Sequence, residues 1–577
     1  MPEYFDAEMR LLQEAAQEFA RAYPEKAGML NLQEVRDRDP YVERLLEGMA
    51  FLTARVRQRI DDDVPEIAEA LLSHLWPHFL RPFPSAAIIQ FEPRPGQLQK
   101  SQTLRRGTVL LSPPVGEERV LCRFRTTSPV TLQPLRLAAV TAQEAGHGGT
   151  LLRLRFQFDA GVEARSLELE RLKLHLHADP AVALSLYHAL VGQVREVRLR
   201  FPAQPTQAPR RLGGQAAITP CHLFPEELLV PASGRSFHGF HLLQEYFCFR
   251  EKYLFVELQN LQRIAWPETC AEFELEVQLG CLLDKEFNLS RDNFRLHCAP
   301  AVNLFSTTSE PIDLTHKRSE YPVLADAAAR EGVRVYSVDK VTGTSSASGK
   351  RFSYSSLPSF KHGGPGGRFF QVRRQHAEGM RPTTALVVGG KIDYAREALS
   401  CEITATNGDY PRRHLQIGSL HVAAPEVPLT VKFSNITRPS RTLQPPRRRD
   451  YRLALVSHLA VNYHSLASAE AFRQLLALYD WTEQGQNQRR IDGIREIAVA
   501  PVNRIRKGAL LRGLEVTLTL AEDHYLSTAD CHLFGTVLHR FLSMYASVNA
   551  VVQTRILLHP SNRELKWEPL PGENFPL

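Results

Sequence analysis

The hydrophobic pattern of this chain changes its period near residue 86, and that change limits the folds open to it. Before residue 86, apolar residues recur every three or four positions, the spacing of one face of an α-helix. The first such series is Phe5, Met9, Leu12, Ala16, Phe19 and Tyr23. After residue 86, apolar residues alternate with polar ones, as in a half-buried β-strand. The pattern predicts a helical N-terminal segment followed by a β-rich body.

Two further helices are predicted before the period changes. One covers residues 42–60 and is preceded by Pro40 at a first helical position, where a missing N–H costs nothing. The other covers residues 64–75, with Asp63 as its N-cap and Pro77 just beyond its end. A bundle of these helices could form within one chain or be shared with another subunit, and the pattern leaves both possibilities open.

The stretch LLSHLWPHFLRP at residues 71–82 holds two histidines four positions apart, His74 and His78, a spacing that zinc-binding helices use. A zinc protease helix also needs a glutamate directly after the first histidine, and Leu75 stands there instead. Pro77 breaks the helix between the two rings. The sequence therefore favours a structural pair at a helix end, and we expect no metal.

Other signatures of chemistry are absent from the sequence. The glycine-rich stretch at 361–370 lacks the spacing of a phosphate-binding loop, and no Gly-x-Ser-x-Gly elbow occurs. The eight cysteines are scattered without a Cys-x-x-Cys pair, which argues against a disulfide framework and a zinc ribbon. We therefore predict no catalytic residue and no cofactor, and expect that the protein is not an enzyme.

Charge and hydropathy point to a cytoplasmic protein. The N-terminus carries acids rather than a signal-peptide pattern, and no window of about 18 apolar residues could span a bilayer, so we expect no membrane insertion. A net charge of +7 over 577 residues is modest. The basic cluster PPRRRDYR at 445–452 favours a solvated linker or a contact for an acidic protein over nucleic acid, because no stacking aromatics are interleaved with it.

The fold class that these patterns predict is α+β and multidomain, with a helical N-terminal arm, mostly antiparallel β-rich middle domains and an α/β C-terminal domain. Strands are predicted at 166–178, with one slip, at 271–279 and at 514–520. Helices return at 471–481 and 527–553. Proline- and glycine-rich stretches suggest five domains: 1–85, 86–210, 211–300, 301–435 with a flexible loop at 342–367, and 436–577.

Blocks spread over almost the whole chain, all in the same order, resemble the TssF family, also called ImpG or VasA, of the type VI secretion baseplate. They include YFDAEMRLLQEAAQEFARAYPEKAG, CRFRTTSPVTLQPLRL, FHGFHLLQEYFCFREKYLFVEL, TATNGDYPRRHL, NITRPSRTLQPP and LFGTVLHRFLSMYASVNAVVQT. One departure is Arg250, where the family more often has proline.

The resemblance implies a structural wedge subunit. Two copies would join one TssG, and with TssE and TssK they would form wedges around the VgrG hub, on the cytoplasmic side of the inner-membrane complex. Such a baseplate supports tail assembly and triggers sheath contraction. It also implies that the N-terminal helices join a shared bundle, so we predict a partner interface on the first helix. Its residues are Phe5, Met9, Leu12, Phe19 and Tyr23.

Other functions stay open at this stage. A baseplate wedge protein of a phage or another contractile injection system is the nearest alternative. A metal-dependent hydrolase or a carbohydrate-binding β protein is a weaker one, because the first would need a metal cluster and the second an export signal.

Overall fold

The structure is a computed structural model of the 577-residue chain. It describes residues 2–573 apart from 23–39, 147, 168, 232–236, 268–269, 326–331, 358–366, 376–382, 391–395, 447–448, 458–467, 483, 507–508 and 549. The chain divides into two compact units. Met1–Leu80 and Pro446–Val461 form the first, here called the helical unit, while Arg81–Pro445 and Asn462–Leu577 form the second, here called the body.

The described α-helices are α1 (Pro2–Ala22), α2 (Pro40–Leu75), α3 (Pro180–Gly192), α4 (Gly239–Cys248), α5 (Tyr410–His414), α6 (Arg449–Ser457), α7 (Ala469–Tyr479), α8 (Gly485–Asp492) and α9 (Thr528–Tyr545). None of these helices is both long and apolar enough to cross a membrane.

In the helical unit, α1 and α6 both pack against α2. Helix α6 is joined to α2 by an ion pair between Arg452 and Glu69, with 2.8 Å between nitrogen and oxygen. As predicted, α2 begins at Pro40, and the chain leaves the α-helix before Pro77. A short 3-10 helix, Pro77–Leu80, follows.

The predicted break near Asp63 is wrong, because α2 runs through this position without interruption over 36 residues. A cap at Asp63 requires extended backbone there, and the backbone is helical. Pro65 removes the hydrogen bond to the carbonyl of residue 61 and its ring crowds that carbonyl, and a long helix can absorb this cost of about 3 kcal/mol by bending. The capping pattern therefore lies inside a helix instead of starting one.

The central sheet of the body has six strands drawn from distant parts of the chain. Their order is β24 (Val422–Ala423), β3 (Val109–Val115), β4 (Val120–Thr126), β15 (Cys298–Val302), β1 (Ala86–Pro93) and β25 (Val431–Asn435). A two-stranded sheet pairs β2 (Gln102–Leu104) with β5 (Val130–Leu132). Phe91, Phe124 and Phe433 lie in the core that these segments share. The division into five consecutive domains stays a prediction.

Two further antiparallel sheets occupy the first half of the body. One has the order β10 (Arg210–Gly213), β9 (Val194–Arg200), β13 (Glu272–Leu279), β7 (Gly149–Phe158) and β6 (Leu135–Ala145). The other has the order β11 (Ile218–Pro220), β12 (Phe255–Leu258), β8 (Leu172–Leu176) and β14 (Phe294–Leu296). The strand predicted at 271–279 is confirmed as β13. Of the strand predicted at 166–178, only β8 forms, and Leu167 and Leu169 precede it outside any strand.

A fifth sheet covers the middle of the chain. Its order is β16 (Phe305–Thr308), β23 (Glu397–Thr406), β19 (Arg334–Ser345), β20 (Arg351–Ser356), β21 (Arg368–Gln375), β22 (Thr383–Gly390) and β18 (Tyr321–Pro322), and β17 (Ile312–Leu314) also pairs with β23. Part of the stretch predicted as a flexible loop, 342–367, thus forms strand β20, and residues 358–366 lie outside the described chain.

The C-terminal region is α/β, as predicted. Its sheet has the order β26 (Ile494–Arg506), β27 (Ala509–Ala521), β28 (Val551–His559) and β29 (Arg563–Lys566), and β30 (Leu570–Pro571) pairs with β28. Strands β27 and β28 are parallel, and α9 is the crossover between them. Ser527 caps α9 by accepting a hydrogen bond from the backbone N–H of Asp530, which confirms the predicted helix start. Helices and mostly antiparallel sheets together confirm the α+β fold.

Candidate partner interface

Helix α2 has apolar residues on two opposite sides. On one side Ala50 and Ala54 are fully buried. On the other, four large apolar residues lie within an arc of about 80° when each residue turns the helix by about 100°. These four residues, here called the α2 stripe, are exposed to fractions of 79%, 72%, 51% and 63%, in the order Tyr41, Leu45, Met49 and Leu52. The helix therefore uses one side inside the chain and presents the other to solvent.

The α2 stripe is large enough to contribute several kcal/mol to a contact that covers it. Full burial of one such side chain contributes about 1.5–3 kcal/mol, and these four retain most of their surface. Covering the stripe would contribute on the order of 5 kcal/mol before the costs of association are counted. An exposed apolar stripe of this kind, on a helix with a second buried side, is typical of a protein–protein contact.

The predicted interface residues of α1 are less exposed than those of the α2 stripe. Phe5, Met9 and Leu12 are half-buried, and Phe19 is 39% exposed. Tyr23 lies outside the described residues. Because α1 packs against α2, part of its apolar face is already covered within the chain. The predicted α1 interface therefore stays a prediction.

Sequence reasoning missed the α2 stripe, although a signal for it was present. Helix α2 carries apolar residues at more positions than one stripe accounts for, and a helix that is apolar on more than one side has more than one contact. Pattern alone does not tell which side is covered inside the chain.

The histidine pair of the stretch at residues 71–82 lies at the end of α2 and just beyond it. His78 lies in the 3-10 helix, is buried, and has its ring centroid 4.0 Å from that of Phe79. His74 belongs to α2, and its side chain is outside the described part. Among the residues that the structure describes, no group of three or more His, Cys, Asp or Glu side chains could hold a metal ion.

Buried charges in the body are held by partners of opposite sign. Asp530 is fully buried and accepts hydrogen bonds from Arg250, from the backbone N–H of Leu526 at 3.2 Å and from Nε of Arg490 at 3.0 Å. The pocket beside it has a volume of about 90 Å³, well below the several hundred Å³ of a ligand site. Arg250, the departure from the family pattern, thus has a structural partner.

The cysteine thiols that the structure describes are held in the unreactive form. Burial raises the pKa of Cys122 and of Cys531 to about 12, which keeps both thiols neutral. The eight cysteines are all free of disulfide bonds. Six of the eight are buried, as is typical of cysteines that serve as small apolar core residues.

Residues 1–574 match the family described as "Type VI secretion system, TssF". A curated relative, the type VI secretion system component TssF1 of Pseudomonas aeruginosa, is 31% identical over 99% of this chain and 98% of its own length.

Two solved structures also resemble the chain. The first, a cryo-electron microscopy structure of the TssK-TssF-TssG baseplate subcomplex of the type VI secretion system, contains a chain with 33% identity and a TM-score of 0.79, covering 93% of this chain and 99% of that one. The second, the baseplate complex from the type VI secretion system, contains a chain with 29% identity and a TM-score of 0.62, with full coverage of both. Sequence and structure agree along the whole length, and the chain therefore belongs to the TssF family of baseplate components of the type VI secretion system.

Proposed function

We propose that this protein is a structural wedge subunit of the baseplate, in which two copies join one TssG and assemble with TssE and TssK around the VgrG hub. The two solved structures support the part of the proposal that concerns TssG and TssK, since one of them is named as a complex with both proteins. In this role the protein supports tail assembly at the cytoplasmic side of the inner-membrane complex and takes part in triggering sheath contraction.

The observation that carries the proposal is the α2 stripe. A helix that is buried on one side and apolar on the other fits a bundle completed by helices of another subunit. Four of the residues predicted from sequence, Phe5, Met9, Leu12 and Phe19, lie on the neighbouring helix α1, and we assign them, together with Tyr23, to the same proposed interface.

The role that we propose is mechanical and not enzymatic. A baseplate changes state when its subunits exchange one set of contacts for another, so the relevant energy is the difference between two interface arrangements. Side chains with possible chemistry, such as Asp530 and the buried thiols, are engaged in internal pairs or kept neutral. This supports a function that resides in contact surfaces.

The experiment is a co-purification with the TssG protein encoded by the same system. We expect that Leu45→Asp with Leu52→Asp abolishes the complex, because two carboxylates would have to be buried in an apolar contact. A matched control, Ile417→Asp with Leu429→Asp, places the same charges at exposed apolar positions of the body and should leave binding intact. Wild-type recovery of TssG with the α2 variant, at unchanged helix content, would remove the support for this interface.

A further inference from the structure

Two of the sequence blocks quoted above, TATNGDYPRRHL and NITRPSRTLQPP, come together on the body. The side chain of Arg438 donates a hydrogen bond to the carbonyl of Arg412 at 3.2 Å, and Arg412 donates to the carbonyl of Pro439 at 3.3 Å. The hydroxyl of Thr442 donates to the carbonyl of Gly408 at 2.7 Å. The blocks are 20 or more positions apart in sequence but form one local surface.

Buried asparagines fix the backbone of both blocks. Asn435 is fully buried, accepts from the N–H of Leu420 at 2.8 Å and donates to the carbonyls of Gln416 and Thr437 at 2.9 and 2.8 Å. Asn407, 1% exposed, in the same way accepts from the N–H of Arg123 at 3.0 Å. A buried amide that is satisfied on both sides rigidifies the loops it joins.

The second block is also tied along strand β1. The hydroxyl of Thr437 accepts from the N–H of Ile88 at 2.9 Å, and that of Ser440 accepts from the N–H of Ala86 at 3.0 Å. These bonds fix the backbone on both sides of Arg438 and directly before the exposed Arg441. The polar side chains that face the body therefore account for the backbone conformation of this block. They do not account for its arginine side chains.

Three arginines lie on the solvent side of the local surface that the two blocks form. Arg438 and Arg441 are exposed and Arg412 is half-buried, and we call them the arginine surface. In the described chain, no carboxylate lies within ion-pair distance of any of the three, whereas the neighbouring Arg413 pairs with Asp409 at 3.8 Å. Burial, and then repulsion from Arg438 and Arg441, lowers the pKa of Arg412. Like charges are thus held together on a rigid backbone without internal compensation.

We propose that the arginine surface docks a carboxylate-rich segment of a partner protein. Guanidinium groups pair with carboxylates through two parallel hydrogen bonds, so a fixed set of three gives both orientation and affinity. Nucleic acid fits less well, because its binding usually combines a longer basic track with aromatic side chains free to stack on bases. Here the ring of Tyr410 is stacked on that of His414, with 5.3 Å between centroids. This surface is distinct from the α2 stripe, so each can be tested without the other.

The test uses the full chain and a short fluorescent peptide of alternating glutamate and glycine, with fluorescence anisotropy as the readout. We expect saturable binding that weakens as salt is added, and no binding of the same peptide with glutamine in place of glutamate. Arg438→Glu with Arg441→Glu should weaken binding about tenfold or more, since two attractive contacts become repulsive. The control, Arg263→Glu with Arg318→Glu, makes the same change of charge at exposed arginines elsewhere and should bind as the wild type does.

Three outcomes would overturn the proposal. They are equal weakening by the control variant, absence of peptide binding by the wild type, and displacement of the peptide by single-stranded DNA at a lower concentration than by unlabelled peptide. Arg438→Gln with Arg441→Gln guards against a folding artefact, because it keeps polar side chains and should still weaken binding at an unchanged melting temperature.

Discussion

Replacing Lys252 with methionine tests a fully buried charge pair of the body. Nζ of Lys252 donates to a carboxylate oxygen of Glu245, and the two side chains are 0% and 1% exposed. Glu245 also accepts from the backbone N–H groups of Leu229 at 2.7 Å and Val230 at 3.3 Å. Removal of the lysine charge leaves a carboxylate in the core with only two neutral donors, a change that costs about 3–5 kcal/mol in other buried pairs.

Lys340 offers a matched control. It pairs with Glu402 at 2.7 Å, but the two side chains are 57% and 61% exposed, so solvent screens the interaction. The same substitution, Lys340→Met, should cost no more than about 1 kcal/mol. Urea unfolding followed by the fluorescence of the chain's tryptophans compares the two variants in one assay. Equal midpoints for Lys252→Met and Lys340→Met would refute the reasoning.

The pH dependence of the Lys252→Met variant provides a second check. Burial raises the pKa of Glu245, while Lys252 and the two backbone donors oppose that rise. Without Lys252 the folded-state pKa rises further above the unfolded value, so the folded state takes up the proton first. The cost of the mutation is therefore full above that folded-state pKa and shrinks as the pH falls through it. Adding Glu245→Gln, which keeps an acceptor for Leu229 and Val230, should recover part of the stability at neutral pH.

Three smaller effects follow from the same structure. Ser527→Ala removes the cap of α9 and should lower the free energy of unfolding by about 1 kcal/mol, measured by urea unfolding. Arg368→Met leaves Glu397, 2% exposed, without its guanidinium partner and should cost about 3–5 kcal/mol, whereas Arg396→Met at the exposed pair with Asp313 should cost about 1 kcal/mol or less. Burial lowers the pKa of His188 and of His539 to about 4, so the unfolded state takes up protons first as the pH falls below about 6.5. The free energy of unfolding should therefore fall between about pH 6.5 and 4, with a slope of about 1.4 kcal/mol per pH unit for each ring. Replacing one ring by His539→Gln should reduce the pH dependence of the urea midpoint in this range.

Local sequence signals predicted those elements whose cause is local. The cap at Ser527 and the apolar stripe after it fixed the start of α9, and strict alternation fixed β13. The proline signals at the two ends of α2 were interpreted correctly, whereas the capping pattern at Asp63 was not, because the same residue types occur at a helix cap and inside a helix. A short-range pattern indicates the local structure that a segment favours. It does not show whether the residues before that segment already form a helix.

Long-range pairing lay beyond these signals. Strand β1 lies between β15 and β25, more than 200 and 300 positions away along the chain, and no local pattern specifies such partners. The same limit hid the arginine surface, because its two blocks are joined by hydrogen bonds between residues that lie more than 20 positions apart in sequence. The α2 stripe was hidden for a related reason, since its exposure depends on which side of α2 the other helices cover.

The energy of the α2 stripe limits what the interface can be. Covering the four residues contributes on the order of 5 kcal/mol, whereas association itself costs about 4–15 kcal/mol in lost freedom of motion. The stripe alone therefore cannot hold a stable complex. Leu11 and Phe19 of α1, 54% and 39% exposed, and Leu453 of α6, 43% exposed, are further apolar positions of the same unit. We infer that the partner contacts more than one helix, with the α2 stripe as the apolar centre and the α1 residues at its margin.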